Sequence, residues 1–184
     1  LGLGPDPVDL LHEDRAAWQT RVEISDYEIR ESLRHPSRAQ YSYDSLFALQ
    51  AVYGGELAMV IGLDQLVQLP QWSRFPDVLR MAHWIVLERK PARAQDVRLG
   101  LHPLLASRLI EPHGDREWKI VGSPIGQGSP RRMRLLETDA PMISSTYIRE
   151  TLARTGSAPE GVLHPNVDAY LRRRGLYGSR LPPS

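Results

Sequence analysis

The sequence predicts an α/β fold that is built on a parallel sheet with flanking helices. Two continuous apolar runs, at residues 57–61 and 83–87, have the pattern of strands that are buried on both faces of such a sheet. The stretches 64–69 and 75–81 between them are helical in pattern, so the order strand, helix, strand implies a right-handed βαβ crossover. A sheet of this kind binds its ligands at the carboxyl ends of the strands, where Gly62 and Asp64 lie.

Three elements are predicted before the first apolar run. Residues 5–7 (Pro-Asp-Pro) indicate the start of a short helix. Residues 21–25 alternate with period two and predict a strand, which a polar loop through residues 34–37 follows. Ser42 is placed to cap the next helix, with Leu46 and Leu49 on successive turns.

Five further elements are predicted after the second apolar run: helices over residues 99–110, 147–153 and 166–174, and strands over residues 118–121 and 133–137. Gly175 closes the last helix at the left-handed cap position, and the chain from Gly178 onward is expected to fray.

The length of 184 residues suits one well-buried domain. We expect that domain over residues 1–178, with 179–184 as a tail. Glycine and proline are scattered through residues 91–130 without a sustained period, so this stretch is expected to be an insertion.

The composition excludes several classes of protein. The formal net charge of +1 gives no long-range field that would attract duplex nucleic acid or an anionic membrane. No apolar run approaches the roughly 18 residues of a membrane-spanning helix, and no secretory leader is recognisable at Leu1, so the cytoplasm is the expected compartment. The absence of cysteine excludes disulfides, thiolate chemistry and cysteine-ligated zinc.

A run of hydroxyl side chains at a predicted helix start carries the strongest chemical signal. Ser144, Ser145 and Thr146 surround free backbone N–H groups at the positive end of the helix dipole, and Arg149 lies one turn further on. Together these groups form a cradle that suits a phosphate. The alternative is that Ser145 merely caps the helix and Arg149 is a solvated surface charge.

Four sequence blocks, in order, resemble the bacterial nicotinate-mononucleotide adenylyltransferases of the nucleotidylyltransferase superfamily. Residues 143–149 (Ile-Ser-Ser-Thr-Tyr-Ile-Arg) look like the C-terminal signature, and residues 41–46 (Tyr-Ser-Tyr-Asp-Ser-Leu) are similar to Tyr-Thr-x-Asp-Thr-Leu. Residues 61–74 contain Ile-Gly-x-Asp followed by Leu-Pro-x-Trp, and the tail over residues 167–178 also matches. The resemblance implies a Rossmann-like parallel sheet of the nucleotidylyltransferase type.

The resemblance also implies roles for individual residues. The ATP-binding residues would be Gly62 and Asp64, near the ribose, and Ile143, Ser144, Ser145, Thr146 and Arg149, of which the hydroxyl residues and Arg149 would hold the phosphates. Arg149 would be the catalytic residue. On its own, Asp64 is equally the N-cap of the helix that follows it.

Ser42 and Trp72 are the residues that the resemblance assigns to the mononucleotide. Trp72 looks like the family residue that stacks on the pyridine ring, and Ser42 matches a threonine near the pyridine carboxylate. A tryptophan after Leu-Pro is also typical of a core residue, and Ser42 also suits a helix cap. Ser73 stands where family members often carry an aromatic residue.

One part of the family pattern is not found. Members begin with a strand and a loop of the type Gly-x-Phe-x-Pro-x-His-x-Gly-His, whose histidines hold the reacting phosphates. Residues 6–12 echo that spacing with His12 at the second histidine position, but Asp9 replaces the first histidine and Leu11 the glycine. No apolar strand precedes them, so the fold is predicted to lack its first βαβ unit, on the order of 50 residues.

The implied reaction is transfer of AMP from ATP to nicotinate mononucleotide, which yields deamido-NAD and pyrophosphate. Such an in-line attack needs positioned phosphates and Mg²⁺ bound with ATP rather than a protein nucleophile. The sequence predicts no protein-held metal, because the six histidines show no metal-ligand spacing: His12, His35, His83, His102, His113 and His164.

Several alternatives remain at this stage. Without the histidine loop, the catalytic activity of the chain alone is expected to be impaired. Four explanations for the missing loop stay open: a longer gene product, a partner chain that supplies it, a relative that only binds nucleotides, or a reorganised site. Phosphopantetheine adenylyltransferase is the second enzyme that the pattern allows, and a nucleotide-binding module is the non-catalytic alternative. A homo-oligomer and either pyridine substrate, nicotinate or nicotinamide, stay open.

Overall fold

The computed structural model describes residues 25–54, 56–89, 94–123, 130–141 and 143–179. The helix predicted to start at residues 5–7 and the echo of the histidine loop at residues 6–12 lie outside the described residues. The same is true of the strand predicted over residues 21–25, except for Ser25.

The described elements are five strands, seven α-helices and two short 3₁₀ helices. The strands are β1 (Ala58–Gly62), β2 (His83–Arg89), β3 (Ile110–Gly114), β4 (Glu117–Ile120) and β5 (Arg132–Thr138). The α-helices are α1 (Tyr27–Arg34), α2 (Ser42–Tyr53), α3 (Leu63–Gln68), α4 (Asp77–Met81), α5 (Ala94–Ala106), α6 (Ser145–Thr155) and α7 (Pro165–Arg174). The 3₁₀ helices cover Leu69–Gln71 and Leu176–Gly178.

The strands form one mixed sheet in the order β1-β2-β5-β4-β3. Strands β1, β2 and β5 are parallel, whereas β4 runs antiparallel to β5 and β3 antiparallel to β4. The α/β class with flanking helices is therefore confirmed, but the sheet is not parallel throughout. The β3–β4 hairpin causes the difference, and its turn is tight enough to hold Arg116 at a φ of +54°.

The described core lies around Trp84 in the middle of the sheet. This side chain is fully buried, and its indole Nε1 donates a hydrogen bond of 2.9 Å to the carbonyl of Leu79. Val86 of the same strand and Met133 and Leu135 of β5 are also buried. Parallel strands thus carry the centre of the fold, as the apolar runs predicted.

The two predicted central strands exist but are not equally buried. In β2 the burial alternates, with Trp84 and Val86 buried and their neighbours half-buried. In β1 only Ile61 is buried, and Val60 is 56% exposed. Among the described residues β1 pairs with β2 alone, so it forms an edge of the sheet. Burial on both faces was therefore the wrong expectation for β1.

The N-terminal part of the described chain differs from its prediction. A helix, α1, occupies part of the stretch that was expected to be loop, and the ion pair between Arg30 and Asp26 at 2.8 Å joins its first turns. Helix α2 begins at Ser42 as expected. Its N-cap is Tyr41 without a side-chain capping bond, so Ser42 does not cap it.

The stretch between β2 and β5 also has more structure than its sequence indicated. The helix expected over residues 99–110 is α5, which begins earlier and ends at Ala106. Ile110 instead begins β3, because its buried side chain belongs to the sheet. The strand expected over residues 118–121 is β4, shifted by one residue.

The predictions for the C-terminal part are mostly correct. The expected strand and two helices are β5, α6 and α7, and Gly175 ends α7 in the left-handed conformation at a φ of 59°. The chain does not fray at Gly178, because Ser179 is buried and its hydroxyl donates to the carbonyl of Leu171 at 2.7 Å. None of the described helices is long and apolar enough to cross a membrane.

Candidate functional site

A cleft of about 580 Å³ opens at the carboxyl edge of the parallel strands. Four parts of the chain line it: the helix after β1, the end of β2, the start of α5 and the loop before α6. The lining residues are Leu63, Asp64, Val67, Gln68, Leu87, Arg89, Asp96, Leu99, Ile143 and Ser144. The structure thus brings the predicted residues Asp64, Ile143 and Ser144 to one cavity.

Gly62 sets the position of the Asp64 carboxylate. Strand β1 ends at Gly62, and α3 begins at the next residue. A Cβ atom on Gly62 would lie 2.4 Å from Oδ1 of Asp64, closer than real Cβ contacts allow. A side chain at position 62 would make the exposed Asp64 carboxylate rotate away from the strand end. Asp64 lies in the first turn of α3 and Gly62 is the N-cap, so Asp64 itself is not the cap.

The start of α6 presents the hydroxyl residues as the sequence indicated, with one correction. Ser144, not Ser145, is the N-cap, and its Oγ accepts a hydrogen bond of 3.1 Å from the backbone N–H of Tyr147. Ser145 and Thr146 occupy the first helical turn, and Nη2 of Arg149 donates to Oγ1 of Thr146 at 3.3 Å. The side chains of Ser144, Ser145, Thr146 and Arg149 are all exposed.

Arg89 links the end of β2 to this helix start, and the sequence analysis did not single it out. Its Nη1 donates a hydrogen bond of 3.3 Å to the carbonyl of Ile143, while the half-buried side chain lines the cleft. The sequence feature that could have identified Arg89 is a cationic side chain after a buried apolar run, at the sheet edge where ligands bind.

The charges around the cleft have both signs. The carboxylates of Asp64 and Asp96 face a cavity that Arg89 also lines. Asp96, from the first turn of α5, was missed because this helix was predicted to begin only at residue 99. Within the described residues no three histidine or acidic side chains group closely enough to hold a metal ion. Acceptors for hydroxyl groups and a cationic group that can pair with an anion therefore line the same cavity.

Ser42 and Trp72 lie outside the lining of this cleft. Trp72 is half-buried and packs edge-to-face on Trp84, with ring centroids 5.9 Å apart at 63°. The interpretation of Trp72 as a core residue is thus confirmed for the part of the side chain that packs on Trp84. Its contact with a pyridine ring stays a prediction. The Cζ of Arg74 lies 4.5 Å from the centroid of the Tyr43 ring, which brings the start of α2 next to the Trp72 segment.

Comparison with known proteins gives a consistent set of relatives. No family model matches the chain. A "probable nicotinate-nucleotide adenylyltransferase" of Trichlorobacter lovleyi is 28% identical over 92% of this chain and 76% of its own length. Proteins of the same name from Stenotrophomonas maltophilia and Cellvibrio japonicus are 30% and 31% identical, over 84% and 82% of this chain and 67% and 65% of their own lengths.

The capping geometry gives a first prediction. Ser144→Ala removes the hydrogen bond to Tyr147 N–H and lowers the free energy of unfolding by about 1 kcal/mol, measured by urea denaturation. Ser145→Ala is the matched control, because Ser145 makes no capping bond, and its loss is less than half as large. Equal losses in the two variants would contradict the assignment of Ser144 as the cap.

Proposed function

The chain belongs to the nicotinate-nucleotide adenylyltransferase family, and from this premise we propose that it transfers AMP from ATP to nicotinate mononucleotide, forming deamido-NAD and pyrophosphate. It spans about two thirds to three quarters of the length of the relatives described above. The activity is therefore proposed for the catalytic unit to which this chain contributes.

The cleft at the carboxyl edge is the observation that carries the proposal. It unites two blocks that lie about 80 residues apart in the sequence, the Gly62-x-Asp64 turn and the loop into α6. An adenylyltransferase must bind the ribose and the polyphosphate of ATP, so the groups that bind them must lie within the length of one ATP molecule. A carboxylate accepts hydrogen bonds from ribose hydroxyls, and a helix start with free N–H groups binds phosphate.

The α6 start would act on the ATP phosphates. The first-turn N–H groups of a helix have no intrahelical partners, and the helix dipole adds positive potential there. Hydroxyls of Ser145 and Thr146 add donors, and Arg149 supplies a guanidinium that neutralises charge on the leaving pyrophosphate. The phosphate of the mononucleotide then attacks the α-phosphorus in line, and pyrophosphate leaves. Stabilisation of charge, without a protein nucleophile, lowers the barrier.

Arg89 would position the phosphate loop rather than take part in the reaction. Its hydrogen bond to Ile143 fixes the backbone one residue before the cap of α6. A misplacement of about 1 Å at that point moves every donor of the helix start away from the phosphates. We propose that Mg²⁺ enters with ATP as part of the substrate, bound mainly through phosphate oxygens and water.

The mononucleotide would lie beside the start of α2. The half-buried Trp72 offers a flat π-face to an electron-poor pyridine ring, and its packing on Trp84 fixes the plane of that face. Ser42, in the first turn of α2, brings a half-buried hydroxyl and helix N–H groups that suit the pyridine carboxylate.

The edge of β1 that has no partner among the described strands is where we expect a further chain segment to add a strand. Val60 is 56% exposed there, and β1 has one neighbour among the described strands. An unpaired apolar edge strand is a template for pairing with another segment. The relatives contain residues without a counterpart in the matched part of this chain, and a phosphate-binding histidine loop on such a segment would complete the site.

The proposed phosphate cradle at the start of α6 predicts that Arg149→Ala weakens ATP binding. The dissociation constant for ATP with Mg²⁺, measured by calorimetry, rises about tenfold, because a charge-assisted hydrogen bond is lost. Arg154→Ala is the control, since it removes the same charge from an exposed position of α6 without changing the cradle. Unaltered ATP binding in Arg149→Ala would rule out the cradle.

The pyridine site predicts a graded effect at Trp72. The dissociation constant for nicotinate mononucleotide rises about tenfold in Trp72→Ala and less in Trp72→Phe, which keeps a π-face. ATP affinity stays constant in both variants, which distinguishes a lost stacking contact from general unfolding. A parallel titration with nicotinamide mononucleotide measures the preference between the two pyridines. The stacking role fails if affinity for ATP falls as much as affinity for the mononucleotide.

The proposed strand addition at β1 predicts that a second polypeptide raises activity. When the part of the Stenotrophomonas maltophilia relative that this chain does not match is co-produced with it, pyrophosphate release with ATP and nicotinate mononucleotide rises about 100-fold. Val60→Lys abolishes the gain, because a charge beside the edge prevents strand addition. Val167→Lys, at a similarly exposed position on α7, retains it. Equal rates with and without the added segment would contradict strand addition at β1.

A further inference from the structure

We propose that a second cavity, at the amino edge of the sheet, binds the phosphate group of a small molecule. This cavity has a volume of about 330 Å³ and shares no lining residue with the first cleft. Its position and two arginine side chains support the proposal.

The cavity lies at the opposite end of the strands from the first cleft. Met81 ends the helix before β2, and Arg131 immediately precedes β5. Gly122 lines it shortly after β4, which runs in the reverse direction and therefore ends at the same edge. The functional cleft instead contains residues that follow the carboxyl ends of β1 and β2. A ligand in the second cavity is thus separate from a ligand in the first cleft.

Arg80 is held in place at this cavity. Its Nε donates a hydrogen bond of 3.2 Å to the carbonyl of Val121, and its Nη1 donates to Oδ1 of Asp77 at 3.2 Å. Gly122 allows this approach, because a Cβ atom there would lie 3.2 Å from Nε of Arg80. Asp77 itself is 68% exposed, so solvent screens its charge. The guanidinium is therefore positioned in advance of any ligand.

Arg131 supplies a second guanidinium with unused hydrogen-bonding capacity. Its side chain is 17% exposed, and Nη1 lies 3.6 Å from the Glu56 carboxylate, too far for a hydrogen bond. That buried nitrogen donates to no residue that the structure describes. A buried donor without a partner is costly, and an ordered ion or water at such a place resolves the cost.

The remaining lining limits the ligand to a small one. Tyr43 and Met81 add an aromatic and an apolar wall, while Gln50 is fixed by a hydrogen bond of 2.6 Å to the Met81 carbonyl. Two guanidinium groups face this cavity, and their acidic neighbours Asp77 and Glu56 are 68% and 40% exposed, so solvent screens both carboxylates. Arginine forks match phosphate geometry. The volume is near the lower limit of small-molecule sites. Inorganic phosphate and a nucleoside monophosphate are the two sources of such a group.

The methyl group of Met81 reports directly on this cavity. Met81 is one of four methionines, and fully buried Met133 serves as an internal reference. In the full chain with ¹³C-labelled methionine methyls, titration with inorganic phosphate shifts the Met81 signal in a saturable way. The affinity falls about tenfold in Arg80→Gln and in Arg131→Gln, since each loses a charge-assisted contact. Arg98→Gln, at an exposed position of α5, is the charge-matched control and leaves it unchanged.

Two further titrations distinguish the possible results. Arg149→Ala keeps the phosphate response of Met81, because the α6 start is not part of this cavity. A parallel titration with AMP identifies the source of the phosphate group. If the ligand is a nucleotide, AMP binds tighter than inorganic phosphate because it also contacts Tyr43. If the ligand is free phosphate, the two bind equally well. An unmoved Met81 signal in the wild-type chain overturns the proposal. A response that Arg149→Ala abolishes and Arg80→Gln retains also overturns it.

Discussion

Parallel pairing of β1, β2 and β5 is the constraint on which the candidate site depends. In the observed register Gly62 lies beside Leu87, and Leu87 lies beside Leu136. Strands β2 and β5 end level, at Arg89 and Thr138, and β1 ends two residues earlier, so the segments that follow the three strands open onto a common edge. Asp64, Arg89 and Ser144 meet there although they are far apart in the sequence. An antiparallel neighbour in the centre of the sheet would send one of these segments to the opposite edge.

The local geometry of the cleft follows from two backbone requirements. Gly62 lacks the Cβ that would collide with the Asp64 carboxylate, and Ser144 caps α6 with its own side chain. The cap satisfies one free N–H group and leaves Ser145 and Thr146 exposed in the first turn. Arg89 then fixes the approach to that turn through the Ile143 carbonyl. In the proposed site, stability and ligand binding would use the same few residues, because a helix start needs acceptors whether they come from the protein or from a ligand.

The antiparallel β3–β4 hairpin is joined to the parallel strands by ion pairs as well as by packing. Arg116, in the turn between β3 and β4, forms ion pairs with the buried Glu88 of β2 and, at 3.1 Å, with Glu137 of β5. A buried carboxylate needs such a partner, since the cost of its desolvation is otherwise not offset. Among the described residues both outer strands, β1 and β3, pair on one side only, and the exposed apolar side chain of Val60 lies on β1.

The sequence by itself determined the features that depend on neighbouring residues: the apolar runs of β1 and β2, the hydroxyl run at the start of α6, and Gly175 at the end of α7. Periodicity and capping act within about one or two turns, so they are readable without the fold. Only the tertiary structure decided the β3–β4 hairpin, the exposure of Val60, the packing of Trp72 on Trp84 and the contributions of Arg89 and Asp96 to the cleft. Each of these depends on strand order and on contacts between distant segments, and residues such as Ile110 carry the same local signal in a helix as in a strand.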